Sequence, residues 1–307
     1  MAGNIEPVYQ RYLGVLDLLR DMQRVFVVGC AKSGTTWLMN LLAGHPQVAI
    51  AGEGGFAWQL APAFFSACRS FNKHQQQHRQ PDLTCLRDID QLLTLRAMID
   101  WQLARYIEAS GKRMDTLRCV GDKTPQHTTR LPLLHQLYPG AKFIHVIRDP
   151  RDVATSAWFH LGQRDQRSFE EYIQYFITEV WPLNVTVARE AGEKLPGQYL
   201  EIHYEKLLQE EEQQILALLK MIDVDSSPEM VRACSDSGDF TRRSGGRARG
   251  ETRTGHFYRN GKAGDWRNHL PPPLAQQACT AIADTMRMFG YDPDCSATPD
   301  EAELPAL

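Results

Sequence analysis

The stretch from Val25 to Leu42 constrains the fold more than any other part of the chain. A short apolar, β-branched run, Val25-Phe26-Val27-Val28, is stopped by a glycine-rich turn, after which Trp37-Leu38-Met39-Asn40-Leu41-Leu42 reads as helix. Strand, glycine turn and helix in that order open a phosphate-binding α/β fold. Free N–H groups in such a turn and at a helix start form a cradle for an anion. In Gly29-Cys30-Ala31-Lys32-Ser33-Gly34-Thr35-Thr36-Trp37, the hydroxyls of Thr35 and Thr36 add donors and Lys32 adds a mobile positive charge. The lysine precedes Gly34 by two residues. A nucleotide-triphosphatase loop, G-x-x-x-x-G-K-[ST], needs it where this chain has Thr35.

The rest of the chain alternates in the same manner. Val8 to Arg20 has apolar residues at helical spacing, and Val48 to Ile50 reads as a short strand. Ser66 to Asp82 is polar and is expected as an exposed loop or helix end, with a long helix following from Asp88 to Ser110. Phe143 to Ile147 reads as a buried strand leading into a helix. Phe169 to Ala191 is expected as helix, Gln198 to His203 as strand and Glu205 to Met221 as helix. Ser235 to Gly264, rich in glycine and arginine, is expected as a mobile basic loop, and Pro271 to Phe289 as a closing helix that starts near Pro273. This alternation predicts an α/β fold, a central mainly parallel sheet flanked by helices on both faces. With no linker or internal repeat in view, one domain is expected over residues 1–307.

A second anion contact is expected where the strand Phe143–Ile147 ends. Ligands of open α/β sheets collect beyond the carboxyl ends of the strands. There Arg148 offers a planar fork and Ser156, eight residues on, a hydroxyl. A formal charge of -3 excludes a globally basic nucleic-acid binder, so the anion site is local. The seven cysteines are scattered without a C-x-x-C pair, which fits free thiols. No secretory signature and no apolar run of about 20 residues is present, so no membrane span and a cytoplasmic location are expected.

These segments resemble the PAPS-dependent sulfotransferase family, whose donor is 3′-phosphoadenosine 5′-phosphosulfate (PAPS). K-S-G-T-T-W is similar to the family's 5′-phosphosulfate loop, and Arg148-Asp149-Pro150-Arg151-Asp152-Val153 with Ser156 to its 3′-phosphate motif. Phe257 to Asn268 resembles the R-K-G-x-x-G-D-W-K-N loop, although Asn260 stands at the usual lysine. The resemblance spans segments 25–40, 143–156 and 257–268 and implies a P-loop-like fold. It further implies that Ser33, Gly34, Thr35, Thr36 and Trp37 hold the 5′ side of the donor and that Arg148 and Ser156 hold the 3′-phosphate. Tyr204 and Trp37 would lie at the adenine, with Phe257, Arg259, Asn260 and Gly261 closing over it. Adenosine 3′,5′-bisphosphate (PAP) would be the product, with no metal required.

Lys32 suits the leaving oxygen, and Lys123 in Gly121-Asp122-Lys123-Thr124-Pro125 matches the family's second active-site lysine. The histidine base usual in cytosolic members is replaced by Pro125. Two candidates remain, Glu53 and His127. Glu53 ends a run, His45 to Glu53, that resembles the H-P-x-V-x-x-x-G-E run of tyrosylprotein sulfotransferases, where the glutamate is the base. The acceptor is expected to be a small metabolite, sugar or lipid bearing a hydroxyl or amine. Residues 54–85, 100–118 and 157–168 are expected to build its pocket, with Phe56, Trp58, Phe64, Phe65, Trp158 and Phe159 as lining or core. Two other readings are a P-loop kinase or nucleotide hydrolase, with Asp149 as a metal-binding acid, and a non-catalytic PAP-binding protein.

Overall fold

Alternation along the first strand sets the layers of the molecule. In the computed structural model, which describes residues 5–78, 80–251 and 260–296, β1 runs from Gln23 to Gly29. Phe26 and Val28 enter the core on one face of the sheet, while Val25 and Val27 enter the core on the other. A period of two with both faces apolar marks a strand covered on both sides. The remaining strands are β2 (Val48–Gly52), β3 (Cys119–Lys123), β4 (Lys142–Ile147) and β5 (Tyr199–His203). Their order is β2-β3-β1-β4-β5, and each neighbouring pair is parallel.

On one face α1 (Glu6–Arg20) and the Asp88–Ser110 helix bury Leu19, Leu95, Ile99 and Leu103 against Phe26 and Phe143. On the other, α2 (Thr35–Ala43) packs with the Glu211–Met221 and Pro228–Gly238 helices around Leu38, Ile144 and Ile202. A third apolar cluster joins Ile147 and Val153 to Trp181 and Phe289, and so anchors the chain that leaves β4.

Several expectations are corrected. The polar stretch from Ser66 is mostly helix, because Ala61–Gln75 forms one helix that buries Cys68. The helix expected from Glu205 breaks at Glu210 into Tyr204–Gln209 and Glu211–Met221. The closing helix starts at Pro272, where it was expected, but breaks at Ile282. Ser235 to Gly264 is not all loop: the Pro228–Gly238 helix runs into it and Phe240–Ser244 is a short helix. β3 was not expected as a strand, because Cys-Val-Gly-Asp-Lys is half polar, yet all five residues are buried. Among the described residues no helix is long and apolar enough to cross a membrane. All seven cysteines are free.

Candidate active site

Each strand of the sheet delivers one of the expected site residues at its carboxyl end. Across the sheet these are Glu53 after β2, Lys123 closing β3, the Lys32–Thr36 loop after β1, Arg148 after β4 and Tyr204 after β5. The order of strands reverses direction beside β1, the place where a crevice opens in a parallel α/β sheet.

The loop after β1 is wound by two left-handed residues, Lys32 at φ 75° and Gly34 at φ 101°. A left-handed residue among right-handed ones turns successive N–H groups toward one side, and α2 adds the positive end of its dipole there. Glycine is required at position 34 for a second reason. A Cβ there would lie 2.5 Å from Cδ2 of Tyr204. Trp37, one turn into α2, meets the same tyrosine edge-on with ring centroids 5.4 Å apart.

Arg148 ties the three segments together. Its guanidinium donates to the carbonyls of Lys32 (3.4 Å) and Lys262 (3.0 Å) and lies 4.2 Å over the Tyr204 ring. The buried Asp152 faces Arg148 Nη2 at 3.5 Å and accepts the backbone N–H groups of Gly264 (2.7 Å) and Trp266 (3.0 Å). The Gly264-Asp265-Trp266 segment is thus stapled to the helix that follows β4. Asp149 is committed otherwise, capping that helix through the Arg151 N–H at 2.8 Å and pairing with the Arg151 guanidinium at 2.7 Å. A carboxylate so engaged is unsuited to the metal role that a P-loop kinase would need. Of the expected nucleotide contacts, Asn260 and Gly261 reach the cavity, while Phe257 and Arg259 lie outside the described residues.

At the other end, Lys123, only 4% exposed, places Nζ 2.5 Å from Oε1 of Glu53, whose side chain is 61% exposed. His127 is corrected as a base. It is wholly buried, packs on Phe26 and Phe56, and its Nε2 accepts the Ala57 N–H at 3.2 Å. Burial pushes its pKa down to about 3, which makes the neutral ring a feeble base, and it does not line the cavity. A different histidine stands at this end: His160 lines the cavity, and burial with nearby Lys32 lowers its pKa.

The cavity holds about 300 Å³ and is lined by Lys32, Gly34 to Trp37, Glu53, Arg148, Ser156 and Tyr204. Sequence reasoning missed Gln126, His160, Leu161, Phe240 and Arg249 in its wall. The Arg249 guanidinium lies 4.7 Å over Trp37 and 5.3 Å from the Phe240 ring centre. Its only sequence signal is the basic character of the surrounding loop. Of the segments expected to shape an acceptor pocket, 157–168 contributes His160 and Leu161, whereas Phe56 is core and Trp158 packs on Phe169 and Tyr172.

Four buried polar atoms in or behind the cavity wall have no hydrogen-bond partner among the described residues: Trp37 Nε1, Arg148 Nε and Asn260 Oδ1 in the wall, and Ser33 Oγ, whose wholly buried residue does not line the cavity. Each such atom costs about 1–3 kcal/mol unless something pairs with it. Three can donate and one accepts, which fits a ligand carrying both anionic oxygens and a hydrogen-bonding base.

A family model described as "Sulfotransferase family" matches residues 24–228. The chain is 27% identical over 217 residues to a putative protein-tyrosine sulfotransferase of Caenorhabditis briggsae, covering 68% of each. It is 32% identical over 140 residues to nodulation protein NoeE of Sinorhizobium fredii, covering 43% of this chain and 30% of that protein. The solved structure of mouse sulfotransferase SULT7A1 complexed with PAP shares the fold, with a TM-score of 0.53 and 16% identity over 89% of both chains.

Proposed function

The chain belongs to the sulfotransferase family, and on that premise we propose that it transfers the sulfuryl group of PAPS to a hydroxyl, with Glu53 as the base. The observation that carries this reading is the row of strand ends, which sets Glu53, Lys32, Arg148 and Tyr204 around one cavity, with Lys123 behind Glu53 and paired to it. In-line transfer asks little covalent work of a protein and much positioning of charge. The acceptor proton passes to the Glu53 carboxylate as the acceptor oxygen bonds to sulfur. The bond from sulfur to the bridging phosphate oxygen breaks, and Lys32 neutralises the charge left on that oxygen as PAP departs. Lys123, held against Glu53, stabilises charge on the SO3 group in flight. The unpaired donors of Ser33, Trp37 and Arg148 suit the nucleotide's phosphates and base.

The acceptor is a small hydroxyl-bearing metabolite, sugar or lipid. A second reading, a tyrosine side chain presented by a peptide, draws support from the exposure of Glu53 and from the relatives' names. An acceptor panel separates them: PAPS is incubated with alcohols, sugars, phenols, amines and a tyrosine-containing peptide, and each product is read for added mass. Transfer to small hydroxyl compounds but not to the peptide supports the first reading, and the reverse supports the second. PAPS binding without any product would instead favour a PAP-binding protein without transfer.

A further inference from the structure

Where β2 ends, the backbone loses its partner. The ladder between β2 and β3 pairs Ala51 with Asp122 and Gly52 with Lys123 and stops there. The next N–H groups need other acceptors, since buried backbone donors are almost always paired. They find them on side chains of β3 and of the segment that follows it. Gly54 N–H donates to Asp122 Oδ1 at 2.9 Å, Gly55 N–H to Thr124 Oγ1 at 3.2 Å, and Ala57 N–H to His127 Nε2 at 3.2 Å. The capturing groups are themselves fixed. Thr124 donates to Asp122 Oδ2 at 2.7 Å, and Tyr106 from the Asp88–Ser110 helix donates to Oδ1 at 3.1 Å. Asp122, Thr124 and His127 are 0–2% exposed, so no water competes for these bonds.

We infer that Asp122, Thr124 and His127 are positioning residues that hold the backbone after Glu53 and so aim its carboxylate at the acceptor. The inference rests on the reading of Glu53 as the base. Residues 122 and 124 project to one side of their strand and Lys123 to the other. One short segment therefore grips both parts of its neighbour, with Asp122 and Thr124 on the backbone and Lys123 on the carboxylate. The buried histidine serves as an acceptor rather than as a base. Its neutral ring carries its proton on Nδ1, because Nε2 is taken by Ala57.

The test is a kinetic cycle on the full chain. Thr124→Val keeps the shape of the side chain and removes its hydroxyl. It should lower kcat at least about tenfold, as expected for a misplaced catalytic group, with PAP affinity within about twofold of wild type. Thr124→Ser, which restores the hydroxyl, should recover most of that loss. Glu53→Gln alone should cost at least about 100-fold in kcat. Adding Thr124→Val to it should cost nothing more, because the group being aimed is gone. Asp122→Asn should follow Thr124→Val where it folds. A Thr124→Val enzyme with wild-type turnover beside a crippled Glu53→Gln enzyme would overturn the positioning role and leave the base in place. So would a Thr124→Val loss that multiplies undiminished onto Glu53→Gln. Glu53→Gln turning over at the wild-type rate would sink the base reading itself.

Discussion

A single guanidinium shows how much one residue can carry here. Arg148 touches the loop after β1, the segment at Lys262 and the ring of Tyr204, and still has Nε unpaired beside the cavity. Replacing it with alanine removes a fork that can meet a phosphate through two bonds, and hydrogen bonds to charged groups are worth about 1.5–3 kcal/mol. Arg148→Ala is expected to weaken PAP binding by about tenfold or more by calorimetry, since about 1.4 kcal/mol is a factor of ten. Arg148→Lys should recover only part, because an ammonium keeps the charge without the fork. Equal PAP affinity in wild type and Arg148→Ala would remove the 3′-phosphate assignment. The sequence announced this arginine because a strand end followed by Arg-Asp-Pro is a one-dimensional pattern. It could not announce Arg249, whose place over Trp37 depends on how a distant loop returns across the sheet.

Elements were legible wherever apolar periodicity was strong. β1, β4 and the Asp88–Ser110 helix lie within a residue or two of where the pattern puts them. β3 was hidden because its last two residues are charged, and Asp122 and Lys123 are buried for the sake of their neighbours rather than for burial itself. Pairing between side chains of one segment and backbone of another leaves no periodic trace. His127 misled for the same reason, since a histidine four residues after Lys123 in sequence can still point into the core. Other elements are held by local rules that sequence does declare. Ser168 opens the Phe169–Tyr175 helix with a reciprocal cap, accepting the Glu171 N–H at 3.2 Å while its own N–H donates to Glu171 at 2.8 Å. Ser168→Ala should destabilise the protein by about 1 kcal/mol in denaturant titration. Turnover should be unchanged, because neither residue lines the cavity. A Ser168→Ala protein as stable as wild type would mean that the cap contributes nothing.

For the molecule as a whole, the row of site residues is braced from below by a buried acid. Glu205 accepts the Asp149 N–H at 3.1 Å and the Tyr291 hydroxyl at 2.9 Å. Burial, with Asp149 beside it, pushes its pKa up to about 7. A carboxyl raised in this way binds its proton more tightly folded than unfolded, where a glutamate titrates near 4.3. The stability it confers is therefore complete at low pH and is lost as pH rises from about 4.3 to about 7. Glu205→Gln keeps an acceptor for Asp149 and abolishes the titration. The variant should gain stability relative to wild type between about pH 5 and about pH 8, measured by denaturant unfolding at each. The same difference at both pH values would show that Glu205 does not titrate in that window. The five strand ends themselves have a consequence for size. Adjacent strands stand about 4.8 Å apart, so the row from Glu53 to Tyr204 is a ruler of about 19 Å with five marks. Loops can lengthen or shorten around it, and what stands beside a mark then changes. The spacing of the marks belongs to the hydrogen bonds of the sheet, which no loop can alter.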